Sequence, residues 1–349
     1  MAATPLAASV LLYLFGNSVG RRLPPATAAA VLTALAVTVA TAPGLVLAAA
    51  GVLTLAQAPR IAADGHWSAH TLQVSEHLPL GVGALAGVIV VGLLAATLLK
   101  AGQAIRDLAR ATIACRRLAP ATTDLVILDE DAGPCAYTIG GLRGRVVVST
   151  AMLRALSADE RRVLLAHEAA HLRHRHHLYL HLVALAAAGN PLLRPLARAV
   201  NLAVERWADE EAANHVGDRQ LAARGLARAG LARAAASPQH QVLPAADTYV
   251  ADRVRSLLAP PTARRPLIAA ALVAVAGTCF IAAAATVIQT HAQIEAAETV
   301  YLKALERRPV GRPVASRATS HAYAQCVRPQ PTMQSPYASV CRSGASRGR

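Results

Sequence analysis

Charged residues are scarce in this sequence, and aromatic residues are scarcer still. Only 16% of the 349 residues are charged, against about 25% in a typical soluble domain. Aromatic residues make up 3%, and the only lysines are Lys100 and Lys303. The hydrophobic content is 54% and the mean hydropathy is +0.37. This balance argues against a purely soluble protein and predicts a membrane protein.

The net charge of +15 would suit a nucleic-acid-binding protein. The shortage of aromatic side chains, however, leaves few platforms on which bases could stack. The basic residues also flank apolar segments, which is where charge sets membrane orientation. We therefore predict a lipid bilayer as a partner and no direct nucleic-acid binding.

Four segments are predicted to cross the membrane, which takes about 20 apolar residues each: 5–19, 31–57, 78–99 and 266–289. The first is short, and a signal peptide is the alternative. Its positive charges, Arg21 and Arg22, follow the apolar core instead of preceding it, which favours a retained span. The second lies within the charge-free stretch 23–59, where a bend is expected near Pro43.

Lysine and arginine residues concentrate on one side of this arrangement. They follow the first and third spans and precede the fourth, whereas the loop between the second and third spans has only Arg60. The positive-inside rule then places residues 101–265 in the cytosol. The N-terminus and the tail 290–349 would lie outside, and the tail is predicted to be largely disordered.

The five cysteines fit this topology. Cys115 and Cys135 are expected to be free thiols in the cytosolic block, and Cys279 lies inside the fourth span. Cys326 and Cys341 share the external tail, where a disulfide could persist. Whether these two are bridged stays open.

The segment His167-Glu168-Ala169-Ala170-His171 is an H-E-x-x-H motif in a stretch predicted to be helical. A capping box, Ser157 with Glu160, marks the start of that helix. Residues four apart share a helix face, so both imidazoles can reach one metal ion with the carboxylate beside it. Two nitrogen ligands and a base are what a zinc peptidase requires, and we predict one Zn²⁺ per chain.

A second helix is predicted over residues 195–215, and it carries Glu205 and Asp209 one turn apart. Glu205 suits the third zinc ligand. Asp209 is suited to accept a hydrogen bond from the free N–H of a ligand histidine. The alternative is that both are solvated surface acids, as is expected of the neighbouring Glu210 and Glu211.

The histidines after the motif have a simpler interpretation. His174, His176, His177 and His181 are expected to form a basic, water-facing helix end near anionic lipid headgroups, with His174 as an alternative metal ligand. The apolar stretch 178–188 is too short to span a bilayer, so it should pack in the core or lie against the membrane. A short strand is predicted at 125–128 and a hairpin from 136–139 and 145–149.

Together these residues resemble the BlaR/MecR-type integral-membrane zinc metallopeptidases. More distantly they resemble the membrane gluzincins that trim prenylated or misfolded membrane proteins. The resemblance covers about residues 1–290 and includes Asn190-Pro191 between the two helices. It implies a multi-span α-helical protein of the bacterial plasma membrane with four transmembrane helices. It also implies a cytosolic α+β gluzincin domain, residues 101–265, inserted between spans three and four.

The resemblance also implies roles for individual residues. The zinc ligands would be His167, His171 and Glu205, with Glu168 as general base and Asp209 as support. The strand formed by Val146, Val147, Val148 and Ser149 would be an edge to which the substrate backbone adds. The sequence departs from the antibiotic sensors in one respect. Those proteins carry an external penicillin-binding domain with a reactive serine in an S-x-x-K motif, whereas no serine lies three residues before either lysine here. The 60 residues after 289 are also too few for such a domain.

The predicted activity is zinc-dependent endopeptidase cleavage of a cytosolic protein. By resemblance, the substrate is a winged-helix transcriptional repressor in a signal-response pathway; self-cleavage within 237–247 is a further option. Two alternatives remain: a membrane-protein quality-control protease, and a non-catalytic zinc-binding sensor or scaffold. Tyr137, Arg253 and Arg255 are candidate donors to the oxyanion, and homodimerisation is left open.

Overall fold

The computed structural model describes residues 4–75, 79–118, 125–128, 133–140, 144–236 and 244–307. Within these ranges the chain is mostly helical, and a 3-10 turn lies at Pro191–Leu193. The helices are α1 (Thr4–Arg21), α2 (Pro25–Ala56), α3 (Pro59–Gly65), α4 (Ala69–Ser75), α5 (Leu80–Leu118), α6 (Thr150–Ala155), α7 (Ala158–Arg173), α8 (His176–Gly189), α9 (Arg194–Val216), α10 (Arg219–Ala236), α11 (Pro244–Leu258) and α12 (Pro266–Glu306). The strands are β1 (Leu125–Leu128), β2 (Ala136–Ile139) and β3 (Arg145–Ser149).

Three helices in the described part of the chain are long and apolar enough to cross a membrane. They are α2, the segment 81–115 of α5, and α12, and they coincide with the second, third and fourth predicted spans. Helix α5 continues past the predicted end at residue 99, and α12 continues past 289. Helix α1 is not among the three, so its span stays a prediction. The three apolar helices indicate a membrane protein.

Helices α2 and α5 approach each other at glycines. A Cβ atom on Gly51 of α2 would lie 3.1 Å from the Cα atom of Gly87 on α5. A Cβ atom on Gly83 would lie 1.6 Å from Thr54 Oγ1, closer than any side chain could tolerate. Small residues at such positions let two backbones pack closely, as membrane helices commonly do.

The chain through Leu305 forms one compact unit, and the bounds 101–265 of the peptidase domain stay a prediction. Helix α9 packs directly on α1 and α2, and α8 packs on α2. The shared core is apolar and includes Leu12, Leu32, Val183, Val200 and Leu272, which come from α1, α2, α8, α9 and α12. The stretch 178–188 thus packs in this core, one of the two outcomes expected for it.

A polar contact lies inside this helical core. Asn190, 7% exposed, donates from Nδ2 to the Val39 carbonyl oxygen at 3.3 Å and to Ser9 Oγ at 2.9 Å. Pro43 lies inside α2 four residues after Val39. Because proline has no N–H, it leaves the carbonyl four residues earlier without its helical donor. The Asn190 amide supplies that donor.

The three-stranded sheet has the order β1-β3-β2. Strand β3 pairs with β1 in parallel and with β2 in antiparallel orientation, and all five of its residues are buried. The prediction that Val146, Val147, Val148 and Ser149 form a substrate-binding edge is therefore wrong. Strand β2 covers one edge of β3 and β1 covers the other, so β1 and β2 are the outer strands.

Candidate metal centre

Helices α7 and α9 pack against each other and bring the predicted site residues together. Helix α7 begins with the predicted capping box: Ser157 Oγ accepts from the Glu160 N–H, and Glu160 Oε2 accepts from the Ser157 N–H at 2.9 Å. Helix α9 covers the predicted second helix, and three of its residues, Leu196, Val200 and Val204, are buried. The apolar face of each helix thus fixes the direction of its polar residues.

The metal-ligand atoms converge on one point. His167 Nε2 and His171 Nε2 lie 3.2 Å apart. Each lies 3.7 Å from a carboxylate oxygen of Glu205. Tetrahedral zinc with bonds of about 2.0–2.2 Å sets its ligand atoms about 3.3–3.6 Å apart. The spacing and the donor set of His167, His171 and Glu205 therefore fit a zinc ion.

Asp209 lies behind His167, where an acceptor for the ring N–H was predicted. Its Oδ1 is 3.0 Å from His167 Nδ1, and the side chain is 4% exposed. Burial lowers the pKa of His167, but the hydrogen bond and negative charge of Asp209 outweigh it and raise the pKa. This contact holds the Nδ1 proton on His167 and leaves Nε2 free for a metal.

Arg253 on α11 connects the two acidic residues. Its Nε and Nη2 donate to Asp209 at 2.8 and 2.7 Å, and its Nη1 lies 2.9 Å from Glu205 Oε2. Burial raises the pKa of Asp209, but the Arg253 charge outweighs it and lowers that pKa. Burial likewise lowers the pKa of Arg253, and the two carboxylates outweigh it and raise the pKa. Asp209 and Arg253 are therefore both charged at neutral pH.

The predicted oxyanion donors occupy different environments. The donors of Arg253 are directed at Asp209 and Glu205, and its Nη2 also lies 3.5 Å from His167 Nε2. Arg255 is exposed and pairs with Asp252, away from the metal ligands. Tyr137 lies on β2 and contributes to the wall of the cavity described below. Of the three candidates, Tyr137 is the one that lines the cavity without an acidic partner among the described residues.

Glu168, 5% exposed, has a partner that the sequence did not indicate. Thr138 Oγ1 on β2 donates to Glu168 Oε2 at 2.7 Å and also lies 3.1 Å from the Glu168 carbonyl oxygen. A threonine in a hairpin strand carries no sequence signal that relates it to a helix residue 30 positions later. The contact fixes the carboxylate between the metal ligands and the sheet.

Strand β2 presents an outer edge beside α7. The Ser149 N–H donates to the Cys135 carbonyl, and β2 pairs in register with β3 from Ala136 onward. Because backbone groups alternate in direction along an antiparallel strand, the N–H and C=O of Thr138 face away from β3. The Ala136 carbonyl also faces outward and accepts from Arg233 Nη2 at 2.7 Å.

A cavity of about 300 Å³ lies between β2, α7, α10 and α11. His167, Glu168, His171 and Glu205 line it, together with Thr138 and Arg253. The remaining wall is largely apolar, with contributions from Leu164, Leu180, Leu226, Val250 and Leu257. The cavity thus joins the ligand cluster, the candidate base and the outer edge of β2.

The prediction of a water-facing histidine cluster is wrong for His176. This residue is 1% exposed, and its Nδ1 lies 2.9 Å from His171 Nδ1. Its ring lies 4.8 Å from the Trp207 ring, between centroids, and the His174 ring lies 4.3 Å from the same indole. The turn between α7 and α8, at Arg175 with φ of 50°, directs both flanking histidines inward.

The three cysteines in the described part of the chain do not line the cavity. Cys115, Cys135 and Cys279 are free, which confirms the prediction for the first two. Cys326 and Cys341 fall outside the described residues, so their pairing stays a prediction.

Comparison with known proteins agrees with this geometry. Neither the curated proteins nor the solved structures give a significant match to the chain. The sequence profile of Peptidase family M48, however, matches residues 103–294, which is more than half of the chain. The match includes the H-E-x-x-H helix, the Glu205–Asp209 pair and Arg253, and peptidases of this family are generally zinc-dependent. The chain therefore belongs to peptidase family M48, a family of metallopeptidases.

Proposed function

We propose that the chain is a membrane-embedded zinc metalloendopeptidase that cleaves a protein substrate at the cytosolic membrane surface. One observation carries this proposal: the triangle of His167, His171 and Glu205 donor atoms adjoins a buried Glu168 on the wall of an open cavity. A bound zinc ion supplies Lewis acidity, which polarises a carbonyl group and makes water a stronger nucleophile near neutral pH.

The proton transfers belong to Glu168. Its carboxylate removes a proton from the attacking water and delivers it to the leaving amine. The Thr138 hydroxyl donates to one carboxylate oxygen, Oε2, and leaves Oε1 for the water. A base held in one orientation loses less entropy on the way to the transition state. The buried position of Glu168 and this hydrogen bond favour an active enzyme over a non-catalytic scaffold.

The substrate backbone would add to the outer edge of β2. The Thr138 N–H and C=O face that edge, and main-chain pairing of this kind accepts many sequences. Because Arg233 occupies the Ala136 carbonyl, pairing would begin at Thr138. In this register the scissile bond would lie beside Glu168, because Thr138 would hold both the substrate backbone and the base.

The charge pattern supports a cytosolic site close to the membrane. Asp252 on α11, next to Arg253, pairs with Arg21 at the end of α1 at 2.9 Å. Arg21 belongs to the basic group that the positive-inside rule assigns to the cytosol. A cytosolic winged-helix repressor in a signal-response pathway is the leading substrate. A misfolded membrane protein, cleaved by a membrane-protein quality-control protease, is the alternative.

The test compares purified wild type with Glu168→Ala, Glu205→Ala and a control, Glu211→Ala. Glu211 lies on the same helix as Glu205 but pairs with Arg173 on the outer surface. We expect one zinc per chain in wild type, Glu168→Ala and Glu211→Ala, and loss of zinc in Glu205→Ala. Only wild type and Glu211→Ala should cleave a peptide library. Wild type that holds stoichiometric zinc but cleaves nothing would instead support the scaffold alternative.

To separate the two substrate classes, cells that produce wild type are compared with cells that produce Glu168→Ala. A single stabilised cytosolic protein in the mutant supports the repressor. Many stabilised membrane proteins support quality control. Identical fragments of the peptidase itself in both strains exclude self-cleavage.

A further inference from the structure

His176 is the most deeply buried histidine near the ligands, and its one polar contact is with a ligand. Its ring is 1% exposed, and its Nδ1 lies 2.9 Å from His171 Nδ1. Its Nε2 is buried and has no hydrogen-bond partner among the described residues. A buried imidazole is costly when half of its hydrogen-bonding capacity is unused. The contact with His171 is therefore the one hydrogen bond that the described residues give this buried imidazole.

The direction of that hydrogen bond follows from the ligand geometry. His171 Nε2 faces His167 Nε2 and Glu205, so Nε2 is the metal-facing atom. A ligand histidine that uses Nε2 keeps its proton on Nδ1 and donates it to a nearby acceptor. His171 Nδ1 is then the donor and His176 Nδ1 the acceptor. His176 must carry its own proton on Nε2.

We propose that His176 is a positioning residue that fixes the tautomer and ring orientation of the zinc ligand His171. The inference rests on the proposed function, since it concerns the same metal centre. His176 would do for His171 what Asp209 does for His167. The two differ in charge: Asp209 is a carboxylate paired with Arg253, whereas His176 offers a neutral imidazole. The centre thus gains a second oriented ligand without a second buried negative charge.

The surroundings of His176 hold its ring in place. Trp207, on the same helix as Glu205, packs at 4.8 Å between ring centroids, and Tyr179 packs edge-on at 6.5 Å. The left-handed backbone at Arg175 ends α7 and starts α8 within one turn. That turn brings residue 176 back toward residue 171. A non-glycine residue in this conformation is strained, and here the conformation directs His176 at His171.

The test uses three substitutions that differ in where they place an acceptor. His176→Asn puts a carbonyl oxygen close to the position of Nδ1. His176→Gln puts its polar atoms near the position of Nε2, and His176→Leu has no acceptor. His181→Asn, on the same helix without contact to the ligands, is the matched control. Circular dichroism and gel filtration in detergent establish that each variant is folded.

Two readouts are independent of turnover: the zinc dissociation constant from chelator competition, and the visible spectrum of the Co²⁺-substituted protein. We expect zinc to bind about 10- to 100-fold more weakly in His176→Leu and His176→Gln, with an altered Co²⁺ spectrum. His176→Asn and His181→Asn should match wild type in both. Should His176→Leu fail to fold, the comparison of the Asn and Gln variants still decides.

Two results would overturn the inference. One is zinc affinity equal to wild type in both His176→Leu and His176→Gln. The other is equal weakening in all three variants, which would show that the ring packs but that its acceptor does not matter. Wild type without stoichiometric zinc is a different outcome, because it would refute the proposed function itself.

Discussion

Arg253 and Asp209 form a buried bidentate ion pair, with N–O distances of 2.8 and 2.7 Å. The Arg253 side chain is 9% exposed and the Asp209 side chain 4%. The pair joins α11 to α9 directly behind the metal ligands. Removing one partner of a buried pair leaves an uncompensated charge. The relationship therefore links the stability of this region to the geometry of the site.

Replacement of Arg253 by leucine should be strongly destabilising. We expect a loss of about 3–5 kcal/mol in the free energy of unfolding, because Asp209 would remain buried and charged. Chemical unfolding in detergent measures the change. The double variant Arg253→Leu with Asp209→Asn should lose less than the sum of the single variants. Additive losses would contradict a direct coupling.

The contact between Asn190 and the Val39 carbonyl should depend on Pro43. Asn190→Leu should cost about 1–3 kcal/mol, since it leaves a carbonyl in the helical core without a donor. In a Pro43→Ala background residue 43 regains an N–H, which can bond the Val39 carbonyl within α2. The cost of Asn190→Leu should then shrink. A thermal unfolding cycle of the four proteins measures this coupling, and an unchanged cost would show that the amide serves another purpose.

Thr138→Val should impair the base without removing it. The substitution keeps the shape of the side chain and deletes the hydroxyl that donates to Glu168 Oε2. We expect kcat to fall about 10- to 100-fold, because the carboxylate loses its fixed orientation, while KM changes little. Thr138→Ser keeps the hydroxyl and is the control. A rise in KM with unchanged kcat would assign Thr138 to substrate binding alone.

The capping box gives a pH-dependent prediction. Burial raises the pKa of Glu160, but hydrogen bonds from Ser157 and Arg228 outweigh it and hold the pKa below its ordinary value. A carboxyl with a lowered folded-state pKa stabilises the fold above its unfolded pKa, and the contribution is lost as pH falls through the folded value. Glu160→Gln should therefore be destabilising at pH 7, by about 1 kcal/mol.

The stability difference between wild type and Glu160→Gln should disappear as the pH falls below about 4, the range in which an ordinary glutamate is protonated. Unfolding curves recorded from about pH 3 to about pH 7 measure this difference. Ser157→Ala, which removes the other half of the box, should lose stability at both ends of the range. A Glu160→Gln difference that grows on acidification would have the wrong sign.

Local signals in the sequence were enough for much of the site. The helix of the H-E-x-x-H motif, its capping box and the helix with Glu205 and Asp209 follow from spacing within one or two turns. Strands β1, β2 and β3 follow from short apolar runs. The three longest apolar segments likewise predicted α2, α5 and α12.

Features that depend on distant contacts could not be predicted in this way. The parallel pairing of β1 with β3 makes β3 the central strand, and it joins two strands between which β2 lies in the sequence. The inward direction of His176 depends on one left-handed residue, Arg175. The packing of α8 on α2 brings Asn190 to Val39 across 151 positions. Each of these is set by tertiary packing rather than by local periodicity.

X-ray absorption at the zinc edge of the purified, detergent-solubilised protein tests the central claim most directly. The account predicts zinc with light-atom ligands only, at about 2.0–2.2 Å, and the outer-shell signal of two imidazole rings. The Glu205→Ala protein should lose that spectrum together with its zinc. A zinc–sulfur distance of about 2.3 Å, or a wild-type spectrum that persists in Glu205→Ala, would contradict the account.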